Sequence, residues 1–403
     1  MASTLGFLST VRVAVRGVVR QIARLAARPA TRRISDERAL EIGNGVRRLV
    51  YCLSCVAALT ANPVSAAELP DNFDHMPADL QTALLDFLSP DQTRLWGEHA
   101  KQSGTHSLVR YLDDFHTQVE VDFRRGVIQV ETRDEQRQQS APRQQLRQAL
   151  VSILLTPADP RLIDLYTAAD FGLTGEPFLL GQVKDHEGKD IATQWRAQRF
   201  ADHLIKTRLQ TTSQGYRVQL SMVRQHKTVA AGYYAHHVTE AANRYQVAPS
   251  LIYAIMETES SFNPFAVSPV GAFGLMQVMP KTAGRDVMEK IYQRSHTPSR
   301  DYLMDVANNI DAGTAYLSIL RDNYLRDIRD PAVREFCVIA AYNGGAGLLF
   351  KAFHRDRKTA IERINRLSAK KVYRHIIKRH PKEETRNYLK KVTERMKKYA
   401  NVG

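Results

Sequence analysis

Cysteine is scarce in this sequence. There are three in 403 residues: Cys52, Cys55 and Cys337. Two of them fall within the first 67 residues, so one remains for the rest of the chain, and a disulfide framework is excluded. Cys337 lies in the apolar run FCVIAAY and reads as a buried core thiol. No cysteine and histidine spacing fits a metal site, and no glycine-rich loop fits a nucleotide phosphate. The chain therefore carries no sequence sign of a metal or a cofactor. After the first 67 residues no apolar run reaches the roughly 18 residues that a bilayer span requires. Internal repeats and low-complexity tracts are also absent, which sets aside solenoids and disordered arrays.

Charge is present, and it is uneven. Lys and Arg number 57 against 42 Asp and Glu, a net charge of +15. Between Lys351 and Lys398 there are 18 basic residues against five acidic ones, so that segment alone carries +13. A basic surface of this kind suits an anionic polymer. Solvated helix faces account for it equally well.

The first 67 residues read as a leader. Arg47 and Arg48 precede a short apolar stretch from Leu49 to Ala61, and Val64-Ser65-Ala66 or Ser65-Ala66-Ala67 supplies small residues for cleavage. That is the pattern of a secretory signal peptide. Upstream, Met1 to Gly45 is Arg-rich and has no acidic residue before Asp36; taken alone it reads as a transit peptide. One chain does not carry both at its start. Translation from Val46 reconciles the two, with residues 1–45 preceding the natural start. The expected location is the periplasm after export. Cys52 and Cys55 lack the small-residue box of a lipoprotein signal, which leaves association with the outer membrane open. An export signal argues against nucleic acid as the partner.

Two further segments follow. Over residues 68–225 the pattern is mixed. VEVDFRRGVIQVET alternates at Val119, Val121, Phe123, Ile128 and Val130 around a turn, which predicts a β-hairpin. RQQLRQALVSILLTP predicts a helix ending before Pro157. PFLLGQVKD reads as a strand, IATQWRAQRFADHLIK as a helix and YRVQLSMV as a strand. This is an α/β domain, and Asp113-Asp114 reads as a solvated turn within it. Over residues 226–403 the strand signal disappears and helical spacing takes over. Pro249, Pro331 and Pro381 stand where helices should begin. The fold class is therefore α+β: an N-terminal α/β domain followed by an all-α domain.

One short stretch, ETESSFNPFAVSPVGAFGLMQVMP, holds the chemistry. Ile252, Ile255 and Met256 form an apolar helical stripe, and Glu259 is its next member. Glu259 therefore faces the apolar side. Glu257, about 200° round the helix, should face solvent. A carboxyl group on an apolar face loses hydration and its pKa rises, which is what a general acid near neutral pH requires. A buried glutamate paired with a C-terminal base fits the periodicity as well. Ser268-Pro269 reads as a helix start. Gly271 and Gly274 allow close backbone approach beside Glu259, and Gln277 offers a donor and an acceptor suited to the amide groups of a sugar. Asp330-Pro331 should open a helix that stops at Gly344-Gly345, with Tyr342 and Asn343 at its end.

ESSFNPFAVSPVGAFGLMQVMPKTA, followed by AYNGG, resembles the lytic transglycosylase signature on a lysozyme-like α-fold. YLDDFHTQVEVDFRRGVIQVET and the blocks through PFLLGQV resemble the N-terminal domain of the murein transglycosylase C type. Together the resemblance runs from about Leu69 to Gly403. It implies Glu259 as the one catalytic acid/base. It implies Ser268, Gln277, Met279, Tyr342 and Asn343 as residues that hold the glycan. EETRNYLKKV resembles the family's closing block, which implies Glu384 as a groove carboxylate and Tyr388 as a tyrosine near Glu259. The implied reaction cleaves the MurNAc-β-1,4-GlcNAc bond of peptidoglycan with ring closure to 1,6-anhydro-MurNAc, without metal or cofactor. The implied partners are peptidoglycan glycan strands and other cell-wall enzymes. The alternatives are a hydrolytic muramidase on the same fold and a catalytically idle glycan-binding scaffold.

Overall fold

A computed structural model describes residues 95–133, 141–162 and 175–400. The leader read over residues 1–67 lies outside the described residues. All of the described residues belong to one compact unit, Asn72–Gly403. Among them no helix is long and apolar enough to cross a membrane.

The first part is built on an antiparallel sheet. Its strands are β1 (Ser107–Leu112), β2 (Thr117–Asp122), β3 (Val127–Arg133), β4 (Gln210–Thr211) and β5 (Gly215–Ser221), in the spatial order β1-β2-β3-β5-β4. The alternation read from the sequence sets the register. Val119 pairs with Val130 and Val121 with Ile128; Val130 and Ile128 then face Val218 and Leu220. One sheet face thus becomes a continuous apolar surface. Helices α1 (Ala141–Leu154) and α2 (Gln194–Arg208) cover it and bury Leu146, Leu150, Ile153, Phe200 and Leu204. Thr193 caps α2 by accepting from Arg196 N. The segment expected as a strand at PFLLGQVKD is instead a series of turns from Phe178 to Val183. Phe178, Leu179 and Val183 are buried there without pairing in the sheet. An apolar run marks burial but does not choose a backbone.

The second part is helical: α3 (His226–Tyr233), α4 (Ala235–Tyr245), α5 (Pro249–Glu259), α6 (Arg285–Lys290), α7 (Arg300–Met304), α8 (Val306–Ile319), α9 (Pro331–Gly344), α10 (Ala346–Phe353), α11 (Arg357–Asn365), α12 (Ala369–Arg379) and α13 (Glu383–Lys398). Single π-helical turns stand before α6 and after α8. Pro249 and Pro331 open α5 and α9 as expected, and Asp330 caps α9 through Val333 N. The last helix begins at Glu383 rather than at Pro381. Gly345, with φ of 81°, ends α9 in a conformation that favours glycine. Cys337 is a free, fully buried thiol of this core.

Helix α5 runs through the middle. All six residues from Leu251 to Met256 are buried, packed between α4 and α13. Burial of each large apolar side chain there contributes on the order of 1.5–3 kcal/mol. A helix held on several sides makes a rigid mount for whatever stands at its end. That end is Glu259.

Candidate active site

Glu259 is the last residue of α5. The next residue, Ser260, is fully buried, and its hydroxyl donates to Leu275 O at 2.9 Å and Met256 O at 3.0 Å. One side chain thereby joins the helix end to the GLMQ turn. That turn closes on itself through Val278 N to Phe273 O and Phe273 N to Val278 O, at 3.0 and 3.2 Å. Asn309 of α8 braces it from behind. Its Oδ1 accepts from Met276 N at 2.8 Å, and its Nδ2 donates to Phe273 O at 2.8 Å and Leu303 O at 2.7 Å. Gly274, with φ of 72°, is required here because an added Cβ would lie 2.4 Å from Asn309 Nδ2.

Two tyrosines enclose the carboxyl group. Tyr388 of α13 donates to Glu259 Oε1 at 2.7 Å. Tyr342, near the end of α9, donates to Met276 O at 2.8 Å. Both phenols are held well above their ordinary range, first by burial and then by the Glu259 charge. Burial pushes the Glu259 carboxyl up to about 7; the Tyr388 hydrogen bond opposes this and the Glu384 charge adds to it. The group therefore holds or releases a proton around neutral pH. On the rim, Asn343 Nδ2 donates to Glu384 Oε1 at 3.1 Å, and Thr385 Oγ1 donates to Asn343 Oδ1 at 2.6 Å.

The structure thus brings Glu259, Tyr388, Tyr342, Asn343 and Glu384 together around the ends of α5, α9 and α13. Gln277 stands in the turn beside them with φ of 49°. Its Nε2 is spent on Gly274 O at 2.9 Å and Ala266 O at 3.2 Å, while its buried Oε1 has no partner among the described residues. Only the acceptor of the expected donor–acceptor pair is available. Ser268 and Met279 flank the turn, half-buried, and neither hydrogen-bonds Glu259 among the described residues. Ser268 does not start a helix. Its Oγ accepts from Ala272 N at 2.8 Å and its N donates to Ala272 O at 2.9 Å, which closes a tight turn. The Ser-Pro signal is shared by caps and turns.

Glu257 is not solvent-facing as its helical position suggested; it is 6% exposed. Tyr399 and Lys398 donate to its Oε2 at 2.6 and 2.9 Å, and Arg395 approaches its Oε1 at 3.3 Å. Burial alone would raise its pKa; the bonds from Tyr399 and Lys398 and the charges of Lys398 and Arg395 outweigh that and hold it low. Glu257, buried, and Glu259, half-buried, are thus two carboxyl groups of opposite character, one with its pKa held low and one with its pKa raised to about 7.

Comparison with known proteins gives the family of the chain. A family model described as the N-terminal domain of membrane-bound lytic murein transglycosylase C matches residues 73–232, and one described as the transglycosylase SLT domain matches residues 236–365. A membrane-bound lytic murein transglycosylase C of Klebsiella pneumoniae is 44% identical over 76% of this chain and 85% of its own length. One of Haemophilus ducreyi is 43% identical over 88% of this chain and 98% of its own. The chain belongs to the membrane-bound lytic murein transglycosylase C family. A solved 70-kDa soluble lytic transglycosylase of Escherichia coli is 25% identical over 43% of this chain and 30% of its own, with a TM-score of 0.31.

The family match to the SLT domain ends at 365. Tyr388 and Glu384, on α13, lie past it and complete the Glu259 site in this chain. Sequence reading missed Ser260 and Asn309. Ser260 stood in plain view beside Glu259, yet a serine carries no sign of which carbonyl it will reach. Asn309, in the run NNIDAG, lies near the start of a helix with no pattern to mark it.

Proposed function

We propose that this chain is a peptidoglycan lytic transglycosylase with Glu259 as its one acid/base. The observation that carries this reading is the half-buried Glu259 carboxyl group at the end of α5, held by Tyr388 at 2.7 Å in surroundings that raise its pKa to about 7. In the proposed reaction, protonated Glu259 donates to the glycosidic oxygen between MurNAc and GlcNAc, and the N-acetyl group of MurNAc assists departure. Ionised Glu259 then accepts the proton of the MurNAc C6 hydroxyl as that oxygen attacks C1. A 1,6-anhydro ring closes and no water is consumed. Substrate assistance removes the need for the second carboxylate of ordinary glycosidases, and the intramolecular attack gains from high effective molarity. Tyr388 steers the proton through its bond to Oε1. Gln277, Tyr342 and Asn343, with Ser268, Met279 and Glu384 along the rim, hold the glycan.

The proposed site of action is the periplasm after export, on glycan strands. The basic α11 to α13 segment favours their anionic stem peptides. A hydrolytic muramidase is the second reading, and Glu384, whose charge reaches Glu259, favours it as a second carboxylate. Digestion of purified murein sacculi, with products read by mass spectrometry, separates the two. Muropeptides one water lighter than muramidase products support the transglycosylase; products carrying that water overturn it.

A further inference from the structure

The six residues after Glu259, 260–265, belong to the helical part in sequence, yet Ser261, Asn263 and Phe265 among them are held by the sheet part. Ser261 and Phe262 both have positive φ, 54° and 63°. Neither is glycine, so each costs about 1 kcal/mol or more and persists only where its surroundings impose it. For Phe262 the surroundings are the helical core, where it packs against Tyr234 and Tyr399; for Ser261 they are the loop before β1. His106 Nδ1 lies 3.1 Å from Ser261 Oγ, and the same ring hydrogen-bonds the Ser260 backbone. Asn263, fully buried, directs its Nδ2 at three carbonyls of that loop: Gly104 at 3.2 Å, Thr105 at 3.3 Å and Ser107 at 3.4 Å. Its Oδ1 accepts from Phe265 N at 3.0 Å. Phe265 then leaves the helical core altogether. It is fully buried in the apolar cluster of the sheet, edge-on to Phe178 at 5.2 Å.

Two residues of positive φ, one anchored asparagine and one phenylalanine buried against the sheet thus fall within the six residues after the candidate acid/base. Helix α5 fixes Glu259 from one side, and this strap fixes it from the other. We propose that the sheet part positions the active site: the His106 loop holds the 260–265 strap, and the strap sets the angle at which Glu259 meets Tyr388. His106 is a positioning residue, acting through Ser260 and Ser261 without touching substrate. Burial, with Arg124 and other cations, lowers its pKa to about 4, so the ring acts as a neutral hydrogen-bonding group. This rests on the role given to Glu259 above.

The test compares the full chain with His106→Ala and His106→Asn, the second keeping a short polar group toward Ser261. Turnover on sacculi gives kcat and KM. Carbon-13 NMR of labelled glutamate gives the Glu259 titration without any turnover, and thermal unfolding reports the fold. We expect His106→Ala to lose about tenfold to a hundredfold in kcat with KM little changed. Its Glu259 titration should move from about 7, and His106→Asn should recover part of both. An unchanged Glu259 titration in folded His106→Ala overturns the proposal, as does a loss of kcat no larger than the loss of folded protein. If wild type forms no anhydro product, the function assigned to Glu259 fails, while the titration still decides whether His106 sets its environment.

Discussion

The Tyr388 phenol donates to Glu259 Oε1 at 2.7 Å, across 129 residues of sequence. Among the described residues it is the one hydrogen bond that favours the ionised form of a carboxyl group which burial and the Glu384 charge both push toward the protonated form. Replacing Tyr388 with Phe removes that bond and keeps the ring. The Glu259 pKa should then rise further above 7. The rate needs both forms in turn, so the pH optimum should move up, with kcat lowered about tenfold or more. A pH profile of sacculus digestion checks this; an optimum that moves down contradicts the assigned direction.

Glu259→Gln should remove activity, by about a hundredfold to ten-thousandfold, and should also stabilise the fold at neutral pH. The sign follows from linkage. The folded pKa, about 7, stands above the ordinary 4.5. Below 4.5 both states hold the proton and nothing is lost. Between 4.5 and 7 the unfolded chain releases it and the folded chain does not, so wild-type stability falls across that window and is level above it. The variant lacks the fall. Chemical denaturation at pH 5 and pH 8 should show the variant gaining on wild type at the higher pH, by on the order of 1–3 kcal/mol.

Glu257→Gln should behave in the opposite way. Its buried carboxylate faces Lys227 and Arg395, which are half-buried, and Lys398, which is exposed. Removing its charge takes the shared acceptor from these cations and from the buried Tyr399 hydroxyl, at a cost of about 1–3 kcal/mol. Its pKa is depressed, so the wild-type contribution is present above the ordinary carboxylate range and lost as pH falls through the folded value. Thermal unfolding should drop clearly at pH 7, while kcat per folded molecule stays near wild type. Loss of kcat without loss of stability contradicts a structural role.

Asn309→Ala should leave Met276 N and Leu303 O without the partner that Asn309 supplies, and Phe273 O with only its bond from Val278 N. At about 1–3 kcal/mol for each buried group left unpaired, the GLMQ turn should loosen even where the fold survives. KM for glycan should rise along with the loss of stability. Amide hydrogen exchange at Met276 reports the turn directly, and unchanged protection there contradicts the bracing role.

What the sequence carried, and what it did not, divides by range. The period-two alternation of Val119, Val121, Ile128 and Val130 is a local signal and gave the hairpin with its register. The stripe Ile252, Ile255, Met256 is equally local and directed Glu259 inward. Glu257 was misread because the face opposite the stripe is covered by the end of α13 and the residue after it, Lys398 and Tyr399, which lie more than 140 residues away. No helical period reports such a cover. Ser268-Pro269 was misread because capping and turn chemistry use the same residues. The strap after Glu259 was invisible for both reasons: its strain is backbone geometry, and its anchors belong to the loop at 104–107.

The central claim is that one carboxyl group, Glu259, serves both proton transfers and that no water attacks. Digestion of sacculi in oxygen-18 water tests it most directly, with Glu259→Gln as the control. The account predicts released muramyl ends that carry no heavy oxygen and are one water light, and none from the variant. Heavy oxygen at the new ends, or undiminished release by Glu259→Gln, contradicts it.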